Sequence, residues 1–124
     1  MTNAPILIVD DDRDIRESLR DTLHDEGYAT IEASDGGEAL AYLRSPGARV
    51  SLILLDWNMA PIDAPAFMTE MQADPTLRSI PVVLLTADSR ISGKGQLPGY
   101  VACMKKPVSL GRLFELAERY CGAR

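Results

Sequence analysis

Cysteine and histidine are scarce in this chain of 124 residues: Cys103, Cys121 and His24 are all it has of them. Two cysteines so late in the chain cannot frame a small disulfide scaffold, and they lack the spacing of a zinc site, so reduced thiols are expected. Positive charge is short as well. Thirteen Lys and Arg stand against eighteen Asp and Glu, a net charge of −5, which opposes attraction to phosphate backbones and anionic lipid. Neither nucleic acid nor membrane is expected as a partner. No apolar run approaches the ~18 residues that a bilayer span needs. The first five residues run straight into an apolar stretch with no basic n-region or separate h-region, so no signal peptide is read and the expected location is cytoplasmic. What remains is an ordinary globular composition, 46% apolar and 25% charged. At roughly 100 to 200 residues per domain, residues 1–124 are expected to form one domain with its own core and no output domain attached.

The patterning predicts alternating strands and helices. Ile6-Leu7-Ile8-Val9 is a continuous apolar run that fits a strand buried on both faces, and Asp10-Asp11-Asp12 follows at once. Ile15, Leu19 and Leu23 recur every four residues along a helix from about Arg13 to Glu26, with Gly27 at its stop. A weaker strand from Tyr28 to Ala33 leads through Asp35-Gly36-Gly37-Glu38 to a short helix bearing Ala39, Leu40 and Leu43. Val50 to Leu55, ending in Asp56, is the strongest strand and should be central. Pro65 suits the first turn of a helix carrying Phe67, Met68 and Met71, with its exit at Asp74-Pro75. Ile80 to Leu85 ends at Thr86, and Tyr100 to Met104 ends at Lys105-Lys106-Pro107; Ser109 can then cap a last helix bearing Leu110, Leu113, Phe114, Ala117 and Tyr120. Between the last two strands, Asp88 to Gly99 should hold a fourth helix, but Gly93, Gly95 and Pro98 predict a short or irregular one.

Five strands alternating with about five helices imply an α/β parallel sheet covered on both faces, with ligands beyond the carboxyl ends of its strands. The residues at those ends are Asp10 and Asp11, Asp56, Thr86 and Lys106. Three carboxylates brought together repel one another unless a cation joins them. Magnesium, which takes one or two protein carboxylates, several waters and a phosphoryl oxygen, fits that demand. A carboxylate can also attack phosphorus to give an aspartyl-phosphate. Lys106 would supply a point charge for a phosphoryl oxygen, Thr86 a hydroxyl, and small Ala87 an entry path.

Ile8-Val9-Asp10-Asp11, Leu54-Leu55-Asp56-Trp57-Asn58-Met59, Leu84-Leu85-Thr86-Ala87 and Lys106-Pro107 resemble the receiver domain of two-component response regulators. The likeness runs from about Ile6 to Tyr120. It implies a flavodoxin-like, doubly wound five-stranded sheet of order 2-1-3-4-5. It also implies that Asp56 is the phosphoacceptor, Asp11 a direct magnesium ligand, Asp10 a ligand through water, and the main-chain carbonyl of Asn58 a further ligand. Thr86 and Lys106 would be the switch hydroxyl and the phosphate-binding lysine. The partners implied are a sensor histidine kinase or histidine phosphotransfer protein, and a downstream target met through the face of the fourth helix, fifth strand and fifth helix. Such a domain is no enzyme beyond self-phosphorylation from small donors and autodephosphorylation. Asp56-Trp57-Asn58-Met59 is particularly similar to chemotaxis receivers that stand alone.

The chain departs from that family in places. Ala60 intervenes between Met59 and Pro61, and Ala64 stands where a glycine is usual, so the loop after Asp56 is expected to run differently. Cys103 takes the place of a Tyr or Phe, and in a regular strand Tyr100 would point to the opposite face from residue 103. Plainer readings exist for each piece: an acidic turn that only caps a helix, a threonine satisfying local backbone, a surface lysine beside Lys105. His24 is expected at the surface, Trp57 and Met59 in packing, and Cys103 as a small buried strand residue. Two other function classes share part of the pattern. A haloacid-dehalogenase-like phosphatase would use Asp10 and Asp12 as its Asp-x-Asp pair, although Asp14 stands where Thr or Val is usual. A pseudo-receiver would keep the fold as an interaction module not switched by phosphate. Phosphate on Asp56, on Asp10 or nowhere separates the three.

Overall fold

The computed structural model describes residues 4–57, 63–87 and 100–122. Asn58, Met59 and the segment 88–99, with the short helix expected there, lie outside the described residues. In chain order the elements are β1 (Ile6–Val9), α1 (Arg13–Asp25), β2 (Thr30–Ala33), α2 (Gly36–Leu43), β3 (Leu52–Asp56), α3 (Ala64–Ala73), β4 (Val82–Thr86), β5 (Tyr100–Lys105) and α4 (Leu110–Cys121). All strand pairs are parallel, in the order β2-β1-β3-β4-β5.

Strand side chains alternate between faces, and two separate cores result. Leu7, Val9, Ile53, Leu55, Val82 and Leu84 meet α2 and α3 on one face, where Phe67 and Met68 are fully enclosed. Ile6, Ile8, Leu52, Leu54, Val83 and Leu85 meet α1 and α4 on the other. Local signals set the helix ends. The Asp12 side chain accepts from the N–H groups of Asp14 and Ile15 to start α1, Asp35 and Asp63 cap α2 and α3, and Ser109 caps α4 as expected. Gly27, at φ 90°, closes α1.

Strand β5 is not regular. Tyr100 pairs with Val82 but Ala102 with Val83, so Val101 is an extra residue in the strand. The expectation that residues 100 and 103 point to opposite faces fails for that reason: both Tyr100 and Cys103 pack against the α2/α3 core, Ala102 and Met104 against the other, and Val101 is 42% exposed. Tyr100 nevertheless starts the strand, three residues below Cys103. At the amino end of the sheet, the Ser51 hydroxyl donates to the carbonyl of Ala4 (2.7 Å) and contacts the buried Cys121 Sγ (3.0 Å), joining the chain before β1, the approach to β3 and the end of α4. Both cysteines are free thiols.

Candidate functional site

The crevice lies where the order of connections reverses, between β1 and β3. Val9 pairs with Leu55, so the residues that follow, Asp10 and Asp56, emerge side by side. Asp10 is wholly buried: its N–H donates to Ala33 O (3.2 Å), and its Oδ1 accepts from the N–H of Asp12 (2.9 Å). Asp56 ends β3 and is 4% exposed, whereas Asp11 faces solvent. Carboxylate oxygens of Asp10, Asp11 and Asp56 lie within 4.8 Å of one another. Thr86 ends β4, the neighbour of β3, and is buried; its carbonyl accepts from the N–H of Lys106 (2.7 Å), which fixes the turn leaving β5.

Lys106 Nζ reaches into the cluster, 3.1 Å from Asp10 Oδ2 and 3.0 Å from Asp56 Oδ1. Burial pushes the ammonium pKa down, but hydrogen bonds to Asp56 and Asp10 and their charges outweigh it, so Lys106 sits above its ordinary value of 10.5. One cation against three carboxylates leaves the site with an excess of negative charge and only hard oxygen donors. That set fits a hard divalent cation such as magnesium, which Asp10, Asp11 and Asp56 could hold.

The three consecutive aspartates divide. Asp10 and Asp11 belong to the cluster, but the Asp12 side chain is engaged in capping α1, so the plain capping reading holds for that residue and an Asp10/Asp12 pair does not face one ligand. Trp57 packs half-buried against the α2/α3 core, and exposed His24 meets Thr30 Oγ1 at 2.9 Å. Sequence reasoning overlooked Arg16. Its Nη1 donates to the main-chain carbonyl of Asp10 (2.8 Å) and its Nε to Glu32 Oε1 on β2 (3.1 Å). Beside Lys106, a groove of about 610 Å³ runs between α1 and the approach to α4, lined by Ile15, Leu19, Pro107, Val108 and Leu110.

The family model described as the response regulator receiver domain matches residues 6–118. The chain belongs to the receiver domain family of two-component response regulators. Among curated proteins, this receiver domain is 35% identical over 86 residues to the chemotaxis protein CheY of Pseudomonas aeruginosa, covering 68% of each chain. It is 36% identical over 110 residues to the response regulator MprA of Mycolicibacterium vanbaalenii, covering 87% of this chain and 46% of that protein. Among solved structures, the chemotaxis response regulator CheY4 of Vibrio cholerae superposes with a TM-score of 0.83 at 30% identity, over 96% of this chain and 99% of that one. The response regulator TrrA of Thermotoga maritima, solved in complex with Mg(2+)-BeF, superposes with a TM-score of 0.82 at 27% identity, over 94% and 98%. Receiver domains are signalling modules that work with histidine kinases and downstream targets. Among the described residues no helix is long and apolar enough to cross a membrane.

Proposed function

We propose that this receiver domain accepts a phosphoryl group on Asp56 in a magnesium-dependent reaction and reports it through protein contacts. The observation that carries the reading is the meeting of Asp10, Asp11 and Asp56 within 4.8 Å, with Lys106 bridging two of them. An oxygen of Asp56 forms the new bond to phosphorus while the bond to the donor breaks, and the donor group leaves with the electron pair. Magnesium, when bound, neutralises the phosphoryl oxygens and holds them in line. Asp11 and Asp10 would hold it, with the main-chain carbonyl of Asn58 as a further ligand by family resemblance. Lys106, already 3.0 Å from Asp56 Oδ1, places its charge where negative charge arrives. Thr86, buried at the neighbouring strand end, offers the hydroxyl that detects the new group.

The donor is a histidine kinase or phosphotransfer protein, for which the apolar groove beside Lys106 offers contact surface. By family resemblance the output leaves through the face to which, among the described residues, β5 and α4 belong, and the cytoplasm is the place of action. The likeness of residues 56–59 to stand-alone chemotaxis receivers supports an output made by contact with another protein. Incubation with magnesium and acetyl phosphate, followed by mass spectrometry, tests the reading. One phosphoryl group should appear on Asp56, vanish with chelator, and be missing from a folded Asp56→Asn variant. Label that persists in Asp56→Asn, or that maps to Asp10, would overturn it.

A further inference from the structure

We propose that Arg16, held in place by Glu32, is a positioning residue for the carboxylate cluster: it sets the orientation of the Asp10-Asp11 peptide and thereby aims Asp11 at the cation. The inference rests on the magnesium reading above and goes beyond it to residues outside the cluster.

Every polar group of Asp10 is held. Its N–H bonds to Ala33 O, its Oδ1 to the N–H of Asp12, its Oδ2 to Lys106, and its carbonyl to Arg16 Nη1 at 2.8 Å. The carbonyl bond is the one that fixes the rotation of the peptide joining Asp10 to Asp11. Asp11 is exposed and sits at the mouth of the crevice, so the direction of its side chain depends on that peptide plane. Arg16 can hold it because its planar head is itself anchored. Nε bonds to Glu32 Oε1 at 3.1 Å, and Glu32 Oε2 takes Arg20 Nη1 at 3.3 Å. Glu32 lies on β2 opposite Ile8 of β1, which ties the clamp to the sheet rather than to a loop. The Arg16 and Glu32 side chains are 16% and 27% exposed, so the pair is largely shielded from competing water. A guanidinium reaches both acceptors at once from two nitrogens in one plane; a lysine ammonium carries the same charge without that fork.

Charge and position predict opposite signs. Removing a cation from behind three carboxylates strengthens their pull on Mg²⁺, whereas releasing the peptide misaims a ligand and weakens it. Groups that orient metal ligands are typically worth roughly 10- to 100-fold in affinity. The test is titration of the full chain with Mg²⁺, read by Trp57, the only tryptophan and the residue after Asp56. Parent, Arg16→Ala, Arg16→Lys and Glu32→Gln are compared, with folding checked by circular dichroism. Arg16→Ala and Arg16→Lys should both bind Mg²⁺ at least roughly tenfold more weakly, and Glu32→Gln should shift in the same direction by less. With acetyl phosphate, the Mg²⁺ concentration at half-maximal rate should rise by the same factor while the rate at saturating Mg²⁺ stays near the parent's. Unchanged or tighter binding in Arg16→Ala, or full recovery in Arg16→Lys, would overturn the assignment. If Arg16→Ala does not fold, parent-like affinity in Glu32→Gln overturns it instead. A parent that shows no Mg²⁺ response brings down the magnesium reading itself, and this inference with it.

Discussion

Asp10, Asp11 and Asp12 carry the same side chain, and their neighbours give each a different task. Asp12 caps α1, so Asp12→Ala should cost about 1 kcal/mol of stability and leave Mg²⁺ affinity nearly unchanged. Asp11 is exposed beside two other carboxylates; Asp11→Ala should lose most Mg²⁺ affinity and make the metal-free protein more stable by relieving repulsion. Repulsion alone would predict the same gain for Asp10→Ala. The structure reverses that sign, because Asp10 accepts bonds from Lys106 and the N–H of Asp12, both of which the variant loses. Denaturant midpoints with chelator, beside Mg²⁺ titrations, check all three. Lys106 stands between two ligands of the cluster and competes with the cation, so Lys106→Met should tighten Mg²⁺ binding while slowing phosphorylation by acetyl phosphate. Its raised pKa has a defined consequence without metal. The folded state holds the proton more firmly than the unfolded chain does, so the stabilisation is whole below 10.5 and is lost as pH climbs through the folded-state value. The stability gap between parent and Lys106→Met should therefore narrow above pH 10.5 and stay constant from neutrality up to it.

Strands β1, β3 and β4 were legible from sequence because a parallel strand buried on both faces has no polar alternation to confuse it, and each run ends at, or for β1 one residue before, the residue that faces the crevice. Strand β2 begins at Thr30 rather than Tyr28, since the N–H of Tyr28 turns back to Leu23 O and its buried ring packs on the α1/α4 core. The extra residue in β5 was not legible. Nothing in Tyr100-Val101-Ala102-Cys103 distinguishes a bulge from a regular strand, and the choice is made by pairing with β4. Nor was the Arg16–Glu32 clamp, whose members are sixteen residues apart on different elements, a separation that leaves no local signal. Deletion offers a direct check of the bulge. Removing Val101 restores regular pairing with Tyr100 and Cys103 still on one face, so the variant should keep cooperative unfolding. Removing Leu84 from regular β4 turns part of that strand inside out and should abolish the folded state. Circular dichroism through a urea series distinguishes the two.

At the scale of the whole molecule, two cores share one sheet, and the crevice sits at one end of it while Ser51, Ala4 and Cys121 meet at the other. Five residue steps lead from Ser51 to Asp56, about 17 Å at ~3.3 Å per residue. Burial raises the Cys121 thiol pKa above its usual 9.0, only partly offset by the Ser51 hydrogen bond, so the thiol is chemically quiet while α4 stays docked. Cys121 is the last residue of α4, so its modification requires at least the final turn of the helix to leave the sheet, and at most the opening of the whole α1/α4 core. The rate at which a thiol reagent consumes Cys121 is then a clock for the opening of the domain, and half-buried Cys103 supplies a second, faster one in the same tube. Mg²⁺ at a hundredfold its dissociation constant adds about 2.7 kcal/mol to the native state. The Cys121 clock should slow roughly a hundredfold where the thiol is reached by global opening and stay unchanged where it is reached by fraying of the last turn of α4, with the two sites followed separately by peptide mass spectrometry. A thiol that touches no ligand would thereby keep time for one bound at the far end of the sheet.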